Sequence, residues 1–113
     1  MKYLVWVGRA EKDLEALPTA VQDELRAALT VAQYGGKSEK AIPMRGDLRE
    51  VTEIRVKGPS ATYRAMYTTK IGDKVYVLDV FQKKSKNGIA TPKKDLDRVR
   101  QRLKWAREYG EEH

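Results

Sequence analysis

Arg55 and Lys57 stand two residues apart, Arg64 follows Tyr63, and Phe81 and Lys83 repeat the same alternation further along the chain. In an extended segment, side chains two apart share one face. A four-residue turn at Gly58-Pro59-Ser60-Ala61 puts Lys57 opposite Thr62, Arg55 opposite Arg64 and Glu53 opposite Met66. A tight turn at Gly72-Asp73 puts Ile71 opposite Lys74, Arg64 opposite Phe81, Met66 opposite Asp79 and Thr62 opposite Lys83. One face then gathers Arg55, Lys57, Arg64, Phe81 and Lys83, with Glu53 and Asp79 one row away. Two arginines directly across a strand pair repel. An anion between them reverses the sign, and a phosphate fits two guanidinium forks. Phe81 offers a ring for a base to stack on. The competing reading is that Glu53 and Asp79 neutralise the arginines in an ion network.

The chemistry open to such a face is RNA cleavage. The 2′-hydroxyl attacks the adjacent phosphorus and expels the 5′-oxygen, which needs proton transfer and stabilisation of charge on the phosphoryl oxygens. There is no cysteine, and the one histidine is His113. That argues against thiol catalysis, thiolate metal sites and a histidine dyad, so no metal or cofactor is expected. Proton transfer falls to a lysine shifted by its cationic neighbours, to Tyr67, or to Glu53 or Asp79. Arg55 and Arg64 hold the transition-state charge. A site without histidine works well only if a second body orients the RNA. Tyr67 lies on the opposite face by parity, which also makes it a core tyrosine candidate.

Positioning these residues requires a sheet and helices to back it. Tyr3 to Val7 reads as a strand. Ala10 to Leu17 is a short helix ended by Pro18, and Thr19 to Tyr34 is a second helix with Val21, Leu25, Leu29 and Ala32 on one stripe. Gly35-Gly36 stops it, and Lys37 to Arg49 is a polar connection. Val51–Lys57, Thr62–Ile71 and Lys74–Gln82 are strands. Ile54, Val56, Tyr63, Ala65, Tyr67, Leu78 and Val80 form the face that meets the helices. A basic loop, Lys83-Lys84-Ser85-Lys86-Asn87-Gly88, could grip an RNA backbone. Thr91 caps a last helix with Pro92 at its first position, and that helix stops at Gly110. Trp6 and Trp105 read as packing residues. The order β-α-α-β-β-β-α makes an α+β domain with a mainly antiparallel sheet, spanning residues 1–113 as one unit.

Charge narrows the partners. Hydrophobic residues are 41% and charged residues 35% of the chain, the balance of a soluble globular protein. Residues 1–50 carry 8 basic and 8 acidic side chains, and residues 51–113 carry 15 and 8, so the second half holds the whole net charge of +7. A one-sided positive field draws polyanions, nucleic acid above all. No apolar run approaches the ~20 residues of a membrane span. Met1 to Arg9 is too short for a signal peptide. A cytoplasmic protein with no membrane contact is expected.

Leu48-Arg49-Glu50-Val51-Thr52-Glu53-Ile54-Arg55, then Tyr63-Arg64-Ala65-Met66-Tyr67, then Val77-Leu78-Asp79-Val80-Phe81-Gln82-Lys83-Lys84-Ser85, then Thr91-Pro92, is an ordered set that resembles the RelE/ParE toxin superfamily. It is most similar to its phage-derived, HigB-like branch. The resemblance covers nearly the whole chain. It implies the toxin of a type II toxin–antitoxin pair, a ribosome-dependent mRNA endonuclease that inhibits translation. It implies as partners the ribosome, mRNA and a cognate antitoxin with a helix-turn-helix domain, through which the complex meets operator DNA. Matched onto this chain, the family's basic positions are Arg55, Arg64, Lys83 and Lys84 as catalytic residues, with Lys57, Phe81, Lys86 and Tyr67 as RNA contacts. RelE toxins carry a tyrosine near the C-terminus and some HigB toxins a histidine; here Tyr109 and His113 lie only at the end of the last helix. The alternatives are a ParE-like, non-enzymatic gyrase inhibitor and a basic nucleic-acid-binding module.

Overall fold

The computed structural model describes residues 1–83 and 91–113. Nine short runs of regular backbone build it. β1 (Tyr3–Trp6) leads into α1 (Ala10–Glu15) and α2 (Thr19–Gln33). β2 (Ala41–Pro43) and a 3₁₀ turn at Gly46–Leu48 precede β3 (Thr52–Lys57), β4 (Thr62–Thr68) and β5 (Lys74–Lys83), and α3 (Lys93–Glu112) closes the chain. The sheet order is β1-β5-β4-β3-β2, with β1 parallel to β5 and the remaining pairs antiparallel. α1 and α2 carry the chain from β1 to β2 at the opposite edge, and the antiparallel run β2 to β5 brings it back beside β1 in the parallel sense. The α+β class and the order of the main elements are as expected from sequence. No helix among the described residues is long and apolar enough to cross a membrane.

The sheet is buried on both faces. On one side Leu14, Val21, Leu25 and Leu29 from α1 and α2 meet Ile54, Val56, Ala65, Tyr67, Val75, Val77 and Val80. On the other, Val99, Leu103 and Ala106 from α3 meet Met66, Tyr76 and Leu78. The apolar stripe of α2 is the spacing of Val21, Leu25, Leu29 and Ala32, and each of these is buried.

Several sequence expectations need correction. The connection Lys37–Arg49 is not wholly irregular: Ala41 to Pro43 adds an edge strand on β3, with Ala41 opposite Ile54 and Pro43 opposite Thr52. The tight turn at Gly72-Asp73 does not pair Ile71 with Lys74. β4 ends at Thr68, and the ladder slips between Met66 and Tyr67, so that Met66 faces Asp79 but Tyr67 faces Val77. Leu78 is the extra residue of this bulge, and it therefore joins the α3 side rather than the α1–α2 side. Gly110 does not stop α3, which runs on to Glu112. A Cβ there would lie 2.4 Å from Ile71 Cγ2, so this glycine is a close-contact position and not a terminator. Trp105 is 45% exposed and stacks on Tyr109, so it is not a core residue. Trp6 is partly buried against the α1–α2 core, with the Arg26 guanidinium over its ring.

Candidate functional site

The register that carries the site is the expected one. Lys57 pairs with Thr62, Arg55 with Arg64, Glu53 with Met66, Arg64 with Phe81 and Thr62 with Lys83. Strand alternation thus puts Glu53, Arg55 and Arg64 together on the α3 side, next to a cleft of about 600 Å³. Ile42, Met44, Arg45 and Leu48 form one wall of that cleft, and Thr91, Leu96 and Arg100 the other, with Glu53 and Arg55 between them.

The fork between the two arginines is not open. Arg55 Nη2 donates to Glu53 Oε1 at 2.6 Å and Arg64 Nη1 donates to Glu53 Oε2 at 3.1 Å. Glu53 and Arg64 are each 2% exposed, whereas the Arg55 side chain keeps 21% of its surface in solvent. The expected phosphate position between the guanidiniums is therefore taken by an internal carboxylate, because Glu53 lies two residues from Arg55 on the same face and reaches both partners. Among the described residues, one carboxylate serves both guanidiniums. Arg55 Nε is buried and has no hydrogen-bond partner among the described residues.

Thr91 does not cap α3. Pro92 is the residue before the helix, no side chain caps it, and Thr91 Oγ1 instead accepts a 2.6 Å bond from Arg64 Nη1. The hydroxyl thereby ties the start of α3 to the buried ion cluster. Sequence reasoning read Thr91 only as a helix signal and gave no signal for Arg45 or Arg100 as cleft residues.

Asp79 does not join Arg55 and Arg64. It accepts from Arg98 Nε at 2.9 Å and from Arg102 Nη1 at 2.8 Å, both on α3. Burial pushes its carboxyl above the usual aspartate value, against the pull of the two guanidiniums. Arg98 also lies 5.9 Å from the centre of the Phe81 ring, so one face of the expected stacking platform is already occupied by a cation. Lys57 is exposed at the far end of β3, and Lys83 sits across from Thr62. Lys84 and Lys86 lie outside the described residues. Tyr67 is buried on the opposite face, in the α1–α2 core, with its hydroxyl hydrogen-bonded to Thr52. It does not meet the Arg55 cleft.

α3 is basic in sequence but largely matched in space. Arg100 pairs with Asp47 and Asp97, Arg107 with Glu50, Lys93 with Asp97, and Arg98 and Arg102 with Asp79. The pairs with Asp79 fasten the helix to β5 and those with Asp47 and Glu50 to the β2–β3 connection, while the Asp97 pairs lie within the helix. They hold the Asp47, Glu50 and Asp97 carboxyls below their usual range.

Residues 12–104 match the model of the family described as phage-derived protein Gp49-like. The chain belongs to the phage-derived Gp49-like family. Among solved structures, a Gp49-like chain such as this one is similar to the isolated RelE toxin of E. coli, with a TM-score of 0.57 and 20% identity over 91% of this chain and 99% of that one. It is also similar to the toxin–antitoxin complex RelBE2 from Mycobacterium tuberculosis, with a TM-score of 0.49 and 16% identity over 73% of this chain and 98% of that one. No curated protein sequence matches the chain. The RelE likeness establishes the fold of this Gp49-like protein.

Proposed function

We propose that this protein is the toxin of a type II toxin–antitoxin pair, of the HigB-like branch, and that it cleaves mRNA on the ribosome. The observation that supports this reading best is the cleft beside the buried Glu53–Arg55–Arg64 cluster, where Arg45 and the exposed part of Arg55 face solvent in a RelE-like fold. A scissile phosphate entering the cleft meets Arg55, whose bond to Glu53 uses one of its donors and leaves others for phosphoryl oxygens. Arg64 is a positioning residue in this proposal: it holds Glu53 and Thr91 from below and does not touch RNA. The 2′-hydroxyl attacks the phosphorus, the 5′-oxygen leaves, and charge on the phosphoryl oxygens is met by Arg55. Lys83, with Lys84 and Lys86 by resemblance, extends the basic lining along the RNA, and Lys57 and Phe81 flank it. The ribosome aligns the RNA, which lowers the demand on acid–base groups. The proposed partner is an antitoxin whose helix-turn-helix domain takes the complex to operator DNA, and the proposed location is the cytoplasm.

The test is controlled expression without antitoxin, followed by primer extension on cellular mRNA. Cuts inside translated codons, lost in Arg55→Ala at equal expression and unchanged thermal stability, support the reading. Intact mRNA with altered plasmid supercoiling would point to gyrase and overturn it.

A further inference from the structure

A second pocket, on the opposite side of the sheet from the cleft, is used by nothing described so far. It holds about 280 Å³ where the end of α2 meets the ends of β3 and β4. Its polar lining is Lys37, Arg49, Thr52, Tyr67, Thr69 and Lys70. Thr52 and Tyr67 are register partners, and Tyr67 packs under α1 and α2, which fixes the side of the sheet on which the pocket opens.

Three features distinguish it from ordinary basic surface. Lys37, Arg49 and Lys70 form no ion pair among the described residues, whereas most cations of α3 are matched by acids. The one carboxylate on the rim, Glu50, is already engaged by Arg107. Arg49 and Lys70 line the pocket beside Glu50 and their charges act on it, without either forming an ion pair with it. Arg49 is steered by a 3.1 Å bond from its Nη1 to the Gly46 carbonyl. Beside the cations stand three hydroxyls, those of Thr52, Tyr67 and Thr69. Burial raises the Tyr67 hydroxyl pKa, so the group stays neutral, and its bond with Thr52 leaves that pair one hydroxyl proton to turn toward a ligand. Gly35 and Gly36 form the rim beside α2 and put no side chain into the space.

Unmatched cations that converge with hydroxyl donors call for a compact anion with many acceptor oxygens. A phosphoryl group has that chemistry; a carboxylate offers fewer oxygens and less charge. The space is about nine times the ~30 Å³ that a water molecule takes in the liquid, which leaves room for more than bare phosphate. We propose that this pocket binds the phosphoryl group of a nucleotide, either free or at a phosphate of an RNA chain. The reading does not depend on the cleavage proposal, and it is measured without ribosomes.

The experiment is calorimetric titration of the purified full chain with inorganic phosphate, adenosine monophosphate, adenosine and a short single-stranded oligoribonucleotide. Two triple variants that lose equal charge are compared: Lys37→Gln/Arg49→Gln/Lys70→Gln in the pocket and Lys2→Gln/Lys12→Gln/Lys104→Gln elsewhere. Phosphate and adenosine monophosphate bind and adenosine does not. The pocket triple weakens adenosine monophosphate by at least ~10-fold, roughly the value of one charge-assisted hydrogen bond, and the distant triple by less than about 2-fold. Tyr67→Phe weakens it several-fold in a protein that stays folded at the titration temperature, its unfolding temperature lowered by the lost bond to Thr52. If the RNA chain is the source, the pocket triple also lowers the log–log salt slope for the oligoribonucleotide by about 2, from three contacts at ~0.7 each. If a free nucleotide is the source, that slope does not move. Equal loss in both triples, or no binding of either phosphate compound up to about 10 mM, overturns the proposal.

Discussion

Replacing Glu53 by glutamine removes the carboxylate that bridges Arg55 and Arg64 while keeping side-chain size. Arg64 is 2% exposed and cannot recover its hydration, so its charge is left buried against a neutral amide. Removing one partner of a buried pair costs about 3–5 kcal/mol. Glutamine still offers one acceptor oxygen, so the low end, ~3 kcal/mol, is expected. At ~2.1 cal/mol/K per residue of unfolding entropy, a chain of this length loses about 4 °C per kcal/mol, or ~12 °C in all. Arg64→Met should cost less, because Glu53 then keeps Arg55, which reaches solvent. The double variant should cost less than the two singles summed, by a coupling of about 1–3 kcal/mol. Urea unfolding of the four proteins, with circular dichroism as readout, gives the cycle. A loss below ~1 kcal/mol for Glu53→Gln, or a larger loss for Arg64→Met than for Glu53→Gln, would refute the claim that Glu53 organises the cluster.

Two further predictions concern α3. Burial raises the Asp79 carboxyl, so the folded state holds that proton more tightly than the unfolded state does. Its contribution to stability is therefore fully present below the ordinary aspartate pKa of 3.8 and is lost as pH rises through the raised value. The stability difference between wild type and Asp79→Asn should accordingly shift in favour of the variant as pH rises from 3.5 to 7, read by urea unfolding at several pH values; a shift the other way refutes the direction. Gly110→Ala should destabilise by about 1–2 kcal/mol, because overpacking against Ile71 and the Tyr76 hydroxyl outweighs the gain in helix propensity. Thermal melts decide it, and a stabilised variant would show that the contact yields freely.

Much of the fold and the pairing of the site strands were legible because side-chain alternation and turn length fix register wherever a face is buried. The composition at Gly58-Pro59 located one hairpin correctly, and Arg55 opposite Arg64 followed from it. The second hairpin was misread locally, since a bulge leaves no mark in alternation when both faces of the strand are apolar: Val75 to Leu78 are all buried. β2 was missed because a three-residue edge strand has too few positions to show a pattern. What register cannot give is which acid a guanidinium chooses. Glu53 and Asp79 were both one row from the arginines, yet only Glu53 turned to them. Asp79 was captured by Arg98 and Arg102 from α3, a helix whose apolar contacts, made through Val99 and Leu103, are not revealed by alternation within the strands.

That division of acids explains where the positive charge is left to act. A helix with seven cations in sequence looks like the nucleic-acid face of the molecule, but four of them hold it to the sheet and to the β2–β3 connection, and a fifth, Lys93, pairs with Asp97 within the helix. The exposed pairs among them contribute little stability each, yet all of them lower the field that the helix presents. Among the described residues, cations with no ion pair also line the two hollows: Arg45 on the wall of the cleft, and Lys37, Arg49 and Lys70 in the pocket on the other face. At Arg55 an incoming polyanion faces a competitor already bound, so a phosphate there must take a guanidinium shared with Glu53 and not a vacant one. A ligand that binds this cleft therefore gains from geometry and alignment more than from charge alone, which is the physical reason a second body that orients the RNA belongs in the proposed reaction.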